Sequence, residues 1–106
     1  MNRNSIVTDY MNFCMICGKP IVEIHHGLSG TANRTIADEW KVLLPLCPNH
    51  HNSSKMSVHL NREMEVLSKQ LSQLAVEKEI YRRQLFDDDS DPARDQFRKL
   101  FGKSFL

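Results

Sequence analysis

Cysteine and histidine residues with the character of metal ligands are concentrated in one part of this 106-residue chain. All three cysteines and all five histidines lie between Cys14 and His59. Thiolates and neutral imidazoles are the ligands that zinc and other transition metals prefer. An odd number of cysteines cannot pair completely, and two of them form the motif Cys14-x-x-Cys17, which favours metal binding over a disulfide framework. The sequence therefore predicts at least one metal centre.

Four of these residues have the spacing of a structural zinc site. The pair Cys14 and Cys17 is followed by the pair Cys47 and His50, and together they supply the four ligands that such a site needs. Each pair fits one tight turn, and Gly18 lets the backbone bend around the metal. Buried cysteines or a redox pair are the alternatives, but no βαβ pattern surrounds Cys14 and Cys17. A bound zinc would stabilise a chain whose core is small.

The remaining histidines predict a second metal site. His25 and His26 are neighbours on a predicted strand, so they point to opposite faces and only one of them can bind a given ion. On a continuous helix His51 and His59 would lie about 12 Å apart. The stretch 53–57 is poor helix material, so a break there could bring His59 back to His51. The alternative is that His59 is a solvent-facing residue at the start of the next helix.

Short elements must position these residues. The runs 21–24 and 42–46 are rich in strand-forming residues. Between them the segment 27–34 is expected to be a flexible polar loop. Cys47-Pro48 is typical of a helix start. The predicted order is strand, loop, strand and helix, with histidines at both ends.

A long amphipathic helix is predicted over about 60–86, which contains no glycine or proline. Apolar residues recur there at steps of four and three, at Leu60, Met64, Leu67, Leu71, Leu74, Tyr81 and Leu85, with Lys78 at the remaining position. At about 1.5 Å per residue the helix is about 40 Å long, more than a small core covers. The stripe therefore either packs on its own domain or meets a second copy of the chain, as a homodimer through the 60–85 helix. Asp91-Pro92 predicts a short final helix over about 92–101.

Composition excludes several classes of protein. The formal net charge is +1, so no strong basic field over the whole molecule indicates nucleic-acid binding. No run of 18 apolar residues is present, which argues against a transmembrane helix and a membrane partner. The polar N-terminus lacks the apolar stretch of a signal peptide. We therefore expect a cytoplasmic protein.

The motifs together resemble the HNH nuclease family. These motifs are Cys14-x2-Cys17, Glu23-Ile-His-His-Gly27, Leu44-Pro-Leu-Cys-x2-His-His51 and the downstream His59. The chain is similar, more narrowly, to small phage-encoded HNH proteins related to recombination-enhancement nucleases. The resemblance covers residues 14–59. It implies a small ββα-metal domain at 1–59, stapled by zinc. With the helices that periodicity predicts, the expected fold is α+β, in which a helical extension at 60–106 forms one compact unit with this domain.

The resemblance also implies an activity and a role for each matching residue. The expected activity is that of a metal-dependent DNA endonuclease or nickase, located in the host cytoplasm if the protein is phage-encoded. His26 matches the general base. The matching ligands of a catalytic Mg²⁺, Mn²⁺, Zn²⁺ or Ni²⁺ ion are His25, His51 and His59, and those of the structural zinc are Cys14, Cys17, Cys47 and His50. Expected partners are DNA and a host recombinase or other phage protein.

One position departs from the family pattern. The asparagine that supports the base usually begins the second strand, where this chain has Trp40-Lys41-Val42, and Asn33 is the available substitute. Arg34, Lys41 and Lys55 are candidate phosphate contacts as a group, although for each one alone an ordinary surface charge is the favoured interpretation.

Two other functions stay open. One is a non-catalytic zinc-binding module for DNA or protein with a degenerate HNH site. The other is an assembly or regulatory protein whose long helix is the functional part. Glu23 is either a residue that orients a histidine or an exposed strand residue.

Overall fold

The computed structural model describes residues 4–28, 33–83 and 93–106, which form a two-stranded sheet and helices. In chain order the elements are β1 (Glu23–His26), α1 (Asn33–Trp40), β2 (Leu43–Leu46), a short π-helix (Asn49–Ser53), α2 (Arg62–Arg83) and α3 (Ala93–Phe101). The protein is therefore a small α+β molecule, as the sequence predicts. Among the described residues, no helix combines the length and the apolar character that crossing a bilayer requires.

The sheet places the two adjacent histidines on opposite faces. β1 and β2 are antiparallel, with His25 opposite Leu44 and His26 opposite Leu43. His25 is buried with Leu44, whereas His26 remains partly exposed. β1 begins two residues later than predicted, so both histidines are strand residues and the alternation of side chains separates them.

The connection between the strands contains a helix that the sequence analysis missed. The predicted polar loop over 27–34 gives way to α1 at Asn33. α1 ends in a Schellman motif, in which the Lys41 N–H donates to Asp38 O (3.2 Å) and the Val42 N–H donates to Ala37 O (3.0 Å). Lys41 takes the left-handed conformation that this motif needs, with φ at 60°. The spacing of Ile36, Ala37 and Trp40, which contribute to the core, is the helical signal that the sequence carries here.

The helix predicted from Cys47-Pro48 is shorter than expected. It is a single π-helical segment, Asn49–Ser53, and Ser54 is extended with φ −137° and ψ 170°. The backbone then turns back, because the Val58 N–H donates to His50 O and the His59 N–H donates to His51 O. The break between His51 and His59 therefore lies in the stretch where poor helix formers occur.

The long helix packs on the face opposite to the predicted one. α2 buries Ser68, Ser72, Gln73, Val76 and Ile80. The apolar residues at heptad spacing instead face outward: the exposed fractions are 67% for Leu60, 42% for Leu67, 49% for Leu74 and 59% for Tyr81. The stripe is therefore divided: Leu60, Leu74 and Tyr81 are about half exposed or more, whereas Met64 packs against buried residues beside the sheet and Leu67 lines an apolar groove there. Residues 84–86 of the predicted helix, including Leu85, lie outside the described residues.

Small side chains on the inner face of α2 explain this reversal. A Cβ atom at Gly27 would overlap the Ser72 side chain and approach Leu44 Cδ1 to 2.7 Å. The helix therefore lies directly against the backbone that follows β1, where a leucine at position 72 would not fit. The Ser72 hydroxyl satisfies its hydrogen bond within the helix by donating to Ser68 O (2.7 Å).

The core has two parts. The larger one joins α1, α2 and α3 and is built from Leu28, Ala37, Val42, Val76, Ile80, Ala93, Phe97 and Phe101. The smaller one lies beside the sheet and contains Cys14, Leu44, Leu46, Cys47 and Val58. α3 begins at Ala93, so Asp91 and Pro92 of the predicted helix start lie outside the described residues. Residues of 1–59 and of 60–106 pack together in both parts of the core, since partly buried Met64 contacts the smaller one.

Candidate metal centres

The first cluster brings together the predicted cysteines and His50. Ligand atoms of Cys14, Cys17, Cys47 and His50 all lie within 4.8 Å of one another. Cys17 Sγ is 3.6 Å from Cys47 Sγ, and Cys47 Sγ is 3.3 Å from His50 Nδ1. Tetrahedral zinc with its usual bond lengths separates two sulfurs by about 3.8 Å and a sulfur from a nitrogen by about 3.6 Å. This cluster can therefore bind a metal such as zinc.

Tight turns hold the four ligands in place. The Gly18 N–H donates to Cys14 O (2.8 Å), and Gly18 has φ at 80°, a conformation that glycine adopts without strain. On the other side of the cluster the His50 N–H donates to Cys47 O (3.0 Å). The two pairs of ligands thus occupy separate backbone turns that meet beside the smaller part of the core.

The thiols lie in surroundings that suit metal binding. Burial raises the pKa of the Cys14 thiol, but backbone hydrogen bonds at Cys47, Cys17 and Ile16 outweigh burial and bring this pKa to about 6. At Cys17 a backbone hydrogen bond at Lys19 lowers the pKa, whereas desolvation and the neighbouring thiols raise it above the usual value. The Cys14 thiolate thus forms readily, and a bound cation would also favour the thiolate of Cys17.

The second cluster consists of His25, His51 and His59, which the predicted chain reversal brings together. Their ring centroids are 4.8–5.4 Å apart, and their ligand atoms lie within 4.8 Å of one another. His51 Nε2 is 3.1 Å from His59 Nε2. Two imidazole nitrogens on one tetrahedral zinc ion lie about 3.4 Å apart, so the three rings are arranged as ligands of a single cation would be.

Glu23 orients one ring of this cluster. Its Oε1 atom accepts a 2.7 Å hydrogen bond from His51 Nδ1. Because Nδ1 donates to the carboxylate, Nε2 of the neutral ring keeps a lone pair directed at His59. A carboxylate in this position is common behind metal-binding histidines. Glu23 is an exposed strand residue, and its carboxylate is also placed to orient His51.

Burial keeps His25 neutral. Desolvation, followed by the charges of His59 and His51, lowers the pKa of His25 to about 4. A neutral imidazole is the form that binds a metal ion. His25 is therefore ready to act as a ligand at neutral pH without first losing a proton.

His26 lies apart from the three rings and has its own partner. Its Nδ1 atom is 2.8 Å from Oδ1 of Asp38 on α1. Asp38 also lies 3.7 Å from the Arg34 guanidinium. An ionised carboxylate only accepts hydrogen bonds, so the proton of the neutral His26 ring resides on Nδ1 and the lone pair on Nε2.

A cavity opens beside the histidine cluster. It is lined by His25, Gly27, Val58, His59, Glu65, Ser68 and Lys69. Lys69 Nζ lies 2.9 Å from Glu65 Oε1 at this cavity. A substrate could therefore approach a cation bound by the three rings through this cavity, which Lys69 and Glu65 line on the α2 side.

The three predicted phosphate contacts are exposed at the start of α1, at its end and in the turn after the π-helix. Arg34 is exposed one turn before Asp38 and is the only one of the three within 4 Å of an acidic partner among the residues the structure describes. Lys41 is exposed at the end of α1, and Lys55 is exposed in the turn after the π-helix. Nothing in their positions distinguishes Lys41 and Lys55 from other surface charges.

Sequence reasoning missed Asp38, Glu65 and Lys69. Asp38 was missed because no helix was predicted after the expected loop at 27–34. Its distance from His26 depends on how α1 (Asn33–Trp40) folds back on β1. Glu65 and Lys69 are four residues apart, which is the usual spacing of an ion pair on a helix surface. Only the packing of α2 against β1 brings that pair to the cavity.

Comparisons with protein-family models, with curated proteins and with solved structures found no significant match.

Proposed function

We propose that this protein is a metal-dependent endonuclease or nickase of the HNH type that hydrolyses DNA phosphodiester bonds. The observation that carries the proposal is the position of His26, directly after a ligand-like histidine yet outside the cluster. Three imidazoles are arranged for one cation, and the adjacent fourth is held by a carboxylate with its Nε2 lone pair available. Phosphodiester hydrolysis needs both of these parts.

His26 is the general base in this proposal. Asp38 accepts from Nδ1, so Nε2 can take a proton from the water molecule that attacks phosphorus. Histidine suits this role because imidazole exchanges protons near physiological pH. Asp38 thus takes the supporting role that the resemblance assigns to an asparagine, and in the described part of the chain no hydrogen bond to His26 comes from Asn33.

The donor set of the second cluster fits a catalytic divalent ion. His25, His51 and His59 would hold it, with Glu23 behind His51. Such an ion, Mg²⁺, Mn²⁺, Zn²⁺ or Ni²⁺, would neutralise charge on the phosphate and stabilise the leaving 3′ oxygen. Three protein ligands leave coordination positions for substrate. Hydrolysis in this way leaves 5′-phosphate and 3′-hydroxyl ends.

We propose a fold type, partners and a cellular location together with this activity. The sheet, the π-helix and the reversal at His59 correspond to the ββα-metal unit, with structural Zn²⁺ at the cysteine cluster as its staple. DNA is the substrate, a host recombinase or another phage protein is the proposed partner, and the host cytoplasm is the proposed location. The formal net charge of +1 gives only a weak electrostatic attraction to DNA. A partner that delivers the DNA is therefore part of the proposal.

The direct test is metal-dependent cleavage of supercoiled plasmid by the zinc-loaded protein. We expect nicked product on addition of Mg²⁺ or Mn²⁺, and we expect His59→Ala to abolish it. His59 is exposed, so this variant should keep its fold and its single zinc. Cleavage that persists in His59→Ala would contradict the assignment of the metal ligands.

A non-catalytic zinc-binding module is the second candidate. The near-neutral charge and the missing family asparagine favour it. In that case the purified protein would retain one zinc ion at the cysteine cluster and bind no second divalent ion. Measuring metal content before and after dialysis against Mn²⁺ separates the two functions.

A further inference from the structure

We propose that Lys69 binds a phosphate group of the substrate in the cavity beside the histidine cluster, between its ammonium group and a cation held by His25, His51 and His59. The inference rests on the proposed function for the nature of the substrate, a phosphodiester. Its test measures the binding of a phosphodiester without cleavage, so the two proposals can fail separately.

The cavity has the size and the charge that a phosphate group requires. Its volume is about 170 Å³, several times the roughly 30 Å³ that a water molecule occupies in the liquid. Apart from two histidines, the charged side chains that line it in the described part of the chain are Glu65 and Lys69. Their charges cancel, so a divalent cation bound at the cluster would leave the cavity positive and attractive to an anion.

A lysine at this position is unfavourable for cation binding alone. Like charges in one cavity repel each other, so the Lys69 ammonium lowers the affinity of the cluster for a cation. An anion that enters between the ammonium and the cation is attracted to both and relieves their repulsion. A phosphodiester carries one negative charge and accepts strong hydrogen bonds from an ammonium group. The presence of Lys69 is therefore explained by a bound phosphate and not by the cation.

Glu65 holds Lys69 when the cavity contains no anion. Its Oε1 atom lies 2.9 Å from Lys69 Nζ. The hydrogen bond and the charge of Lys69 lower the pKa of Glu65, and the charges of Arg62 and His59 act in the same direction, so Glu65 is ionised at neutral pH. The Glu65 side chain is 49% exposed, and exposed pairs of this kind are weak. The ammonium also has three N–H donors, so a phosphate oxygen can bind to it beside the carboxylate.

The C-terminal tail fixes the position of Lys69. The Phe105 N–H donates to Gln73 Oε1 (2.7 Å), and the Phe105 carbonyl accepts from Gln70 Nε2 (3.0 Å), which ties the tail to α2. Lys69 Nζ lies 5.4 Å from the centre of the Phe105 ring, and 24% of the Lys69 side chain is exposed. A side chain that is already held in place loses less conformational entropy when it binds a ligand.

Lys103 is a matched control for Lys69. Its Nζ atom lies at the same distance, 5.4 Å, from the centre of the Phe105 ring. Lys103 is exposed, and the described lining of the cavity does not include it. Replacing either lysine removes one positive charge and one contact with the ring. The variants therefore differ mainly in whether the lost ammonium stood at the cavity.

Binding of dimethyl phosphate to the zinc-loaded full chain at saturating Mn²⁺ tests the proposal. Dimethyl phosphate is a phosphodiester, and ³¹P relaxation reports its binding because Mn²⁺ speeds the relaxation of a phosphorus nucleus beside it. We expect Lys69→Met to raise the dissociation constant about tenfold, and Lys103→Met to change it little. Lys69→Arg, which keeps the charge, should retain most of the affinity. Equal affinity in the wild type and Lys69→Met, or an equal loss in Lys103→Met, would overturn the proposal.

The affinity for Mn²⁺ separates phosphate binding from a structural role of Lys69. Electron paramagnetic resonance of the free ion measures this affinity in the absence of dimethyl phosphate. Lys69→Met should bind Mn²⁺ at least as tightly as the wild type, because a like charge has been removed. Weaker Mn²⁺ binding by Lys69→Met would show that Lys69 maintains the cluster itself, and would overturn the proposal.

Plasmid cleavage by the same proteins distinguishes the two proposals. A wild type that binds Mn²⁺ and dimethyl phosphate with the expected dependence on Lys69, yet cleaves no DNA, would contradict the nuclease proposal alone. Cleavage by the wild type, together with unchanged dimethyl phosphate affinity in Lys69→Met, would overturn the role of Lys69 alone. A wild type that binds no Mn²⁺ at the histidine cluster would overturn both.

Discussion

Asp38 Oδ1 and His26 Nδ1 lie 2.8 Å apart, joining a helix between the strands to the last residue of β1. This hydrogen bond determines which nitrogen of the neutral ring carries the proton. The partner of His26 thus comes from α1 and not from the start of β2. If His26 is the general base that we propose, Asp38 would take the role that the HNH resemblance assigns to an asparagine.

Removing Asp38 should impair proton transfer more than substrate binding. For Asp38→Ala we expect kcat to fall about 10-fold to 100-fold with KM little changed, because the ring loses its orientation and preferred tautomer. Steady-state cleavage kinetics measure this, with Glu39→Ala as the control from the same exposed surface of α1. Imidazole ¹⁵N shifts give an independent readout, since the population of the Nδ1–H tautomer at His26 should drop. An unchanged tautomer in Asp38→Ala would contradict this role.

Losing the structural zinc should unfold the protein. Binding of zinc to small Cys/His domains contributes about 10–16 kcal/mol, which is comparable with the whole stability of a small domain, about 5–15 kcal/mol. We expect a strong chelator, or Cys47→Ser, to remove the cooperative thermal transition seen by circular dichroism. Adding Zn²⁺ should restore it in the chelated wild type and not in the variant. A chelated, zinc-free protein with an unchanged Tm would show that the cysteine cluster is not a structural site.

Filling the space at Gly27 should destabilise the fold. The added Cβ of Gly27→Ala overlaps Ser72 and crowds Leu44, and overpacking of this kind costs about 1–3 kcal/mol. Urea denaturation should show a lower midpoint for Gly27→Ala and a partial recovery in the double variant Gly27→Ala/Ser72→Gly. The single variant Ser72→Gly provides the reference for the loss of the serine itself. A midpoint equal to that of the wild type would mean that α2 does not lie against this backbone.

Lys41 offers a stabilising substitution. It holds a left-handed conformation with φ at 60°, which costs a residue with a Cβ about 1–2 kcal/mol relative to glycine. Lys41→Gly should therefore raise the free energy of unfolding by about 1 kcal/mol, whereas Lys41→Ala should bring no gain. If both variants behave alike in urea denaturation, the effect comes from the lost charge and not from the backbone.

Local spacing predicted much of the candidate site. Tight turns within a few residues determine each pair, Cys14 with Cys17 and Cys47 with His50, and the four-ligand requirement of zinc is what joined the two pairs into one predicted site. The poor helix formers after His51 likewise indicated where the chain turns back towards His59. Alternation along a strand separated His25 from His26. Each of these inferences depends on short stretches of backbone.

Long-range packing explains what was missed. The outward direction of Leu67 and Leu74 follows from the close approach of Ser72 to Gly27, two residues that are distant in sequence. The contact between Asp38 and His26 likewise needs α1 to fold back on β1. Periodicity identifies an apolar face on a helix, but it does not say whether the chain itself or another molecule covers that face.

The most direct measurement of the central claim is plasmid cleavage by wild type and His26→Ala, both loaded with zinc and supplied with Mg²⁺ or Mn²⁺. Asn52→Ala, an exposed polar change next to His51, is the control for purification and handling. We expect the wild type and Asn52→Ala to nick supercoiled DNA, and His26→Ala to be slower by about 10²–10⁴-fold at equal zinc content. Equal cleavage by all three proteins, or no cleavage by a wild type shown to bind the second metal ion, would contradict the account of His26 as the general base of a DNA endonuclease.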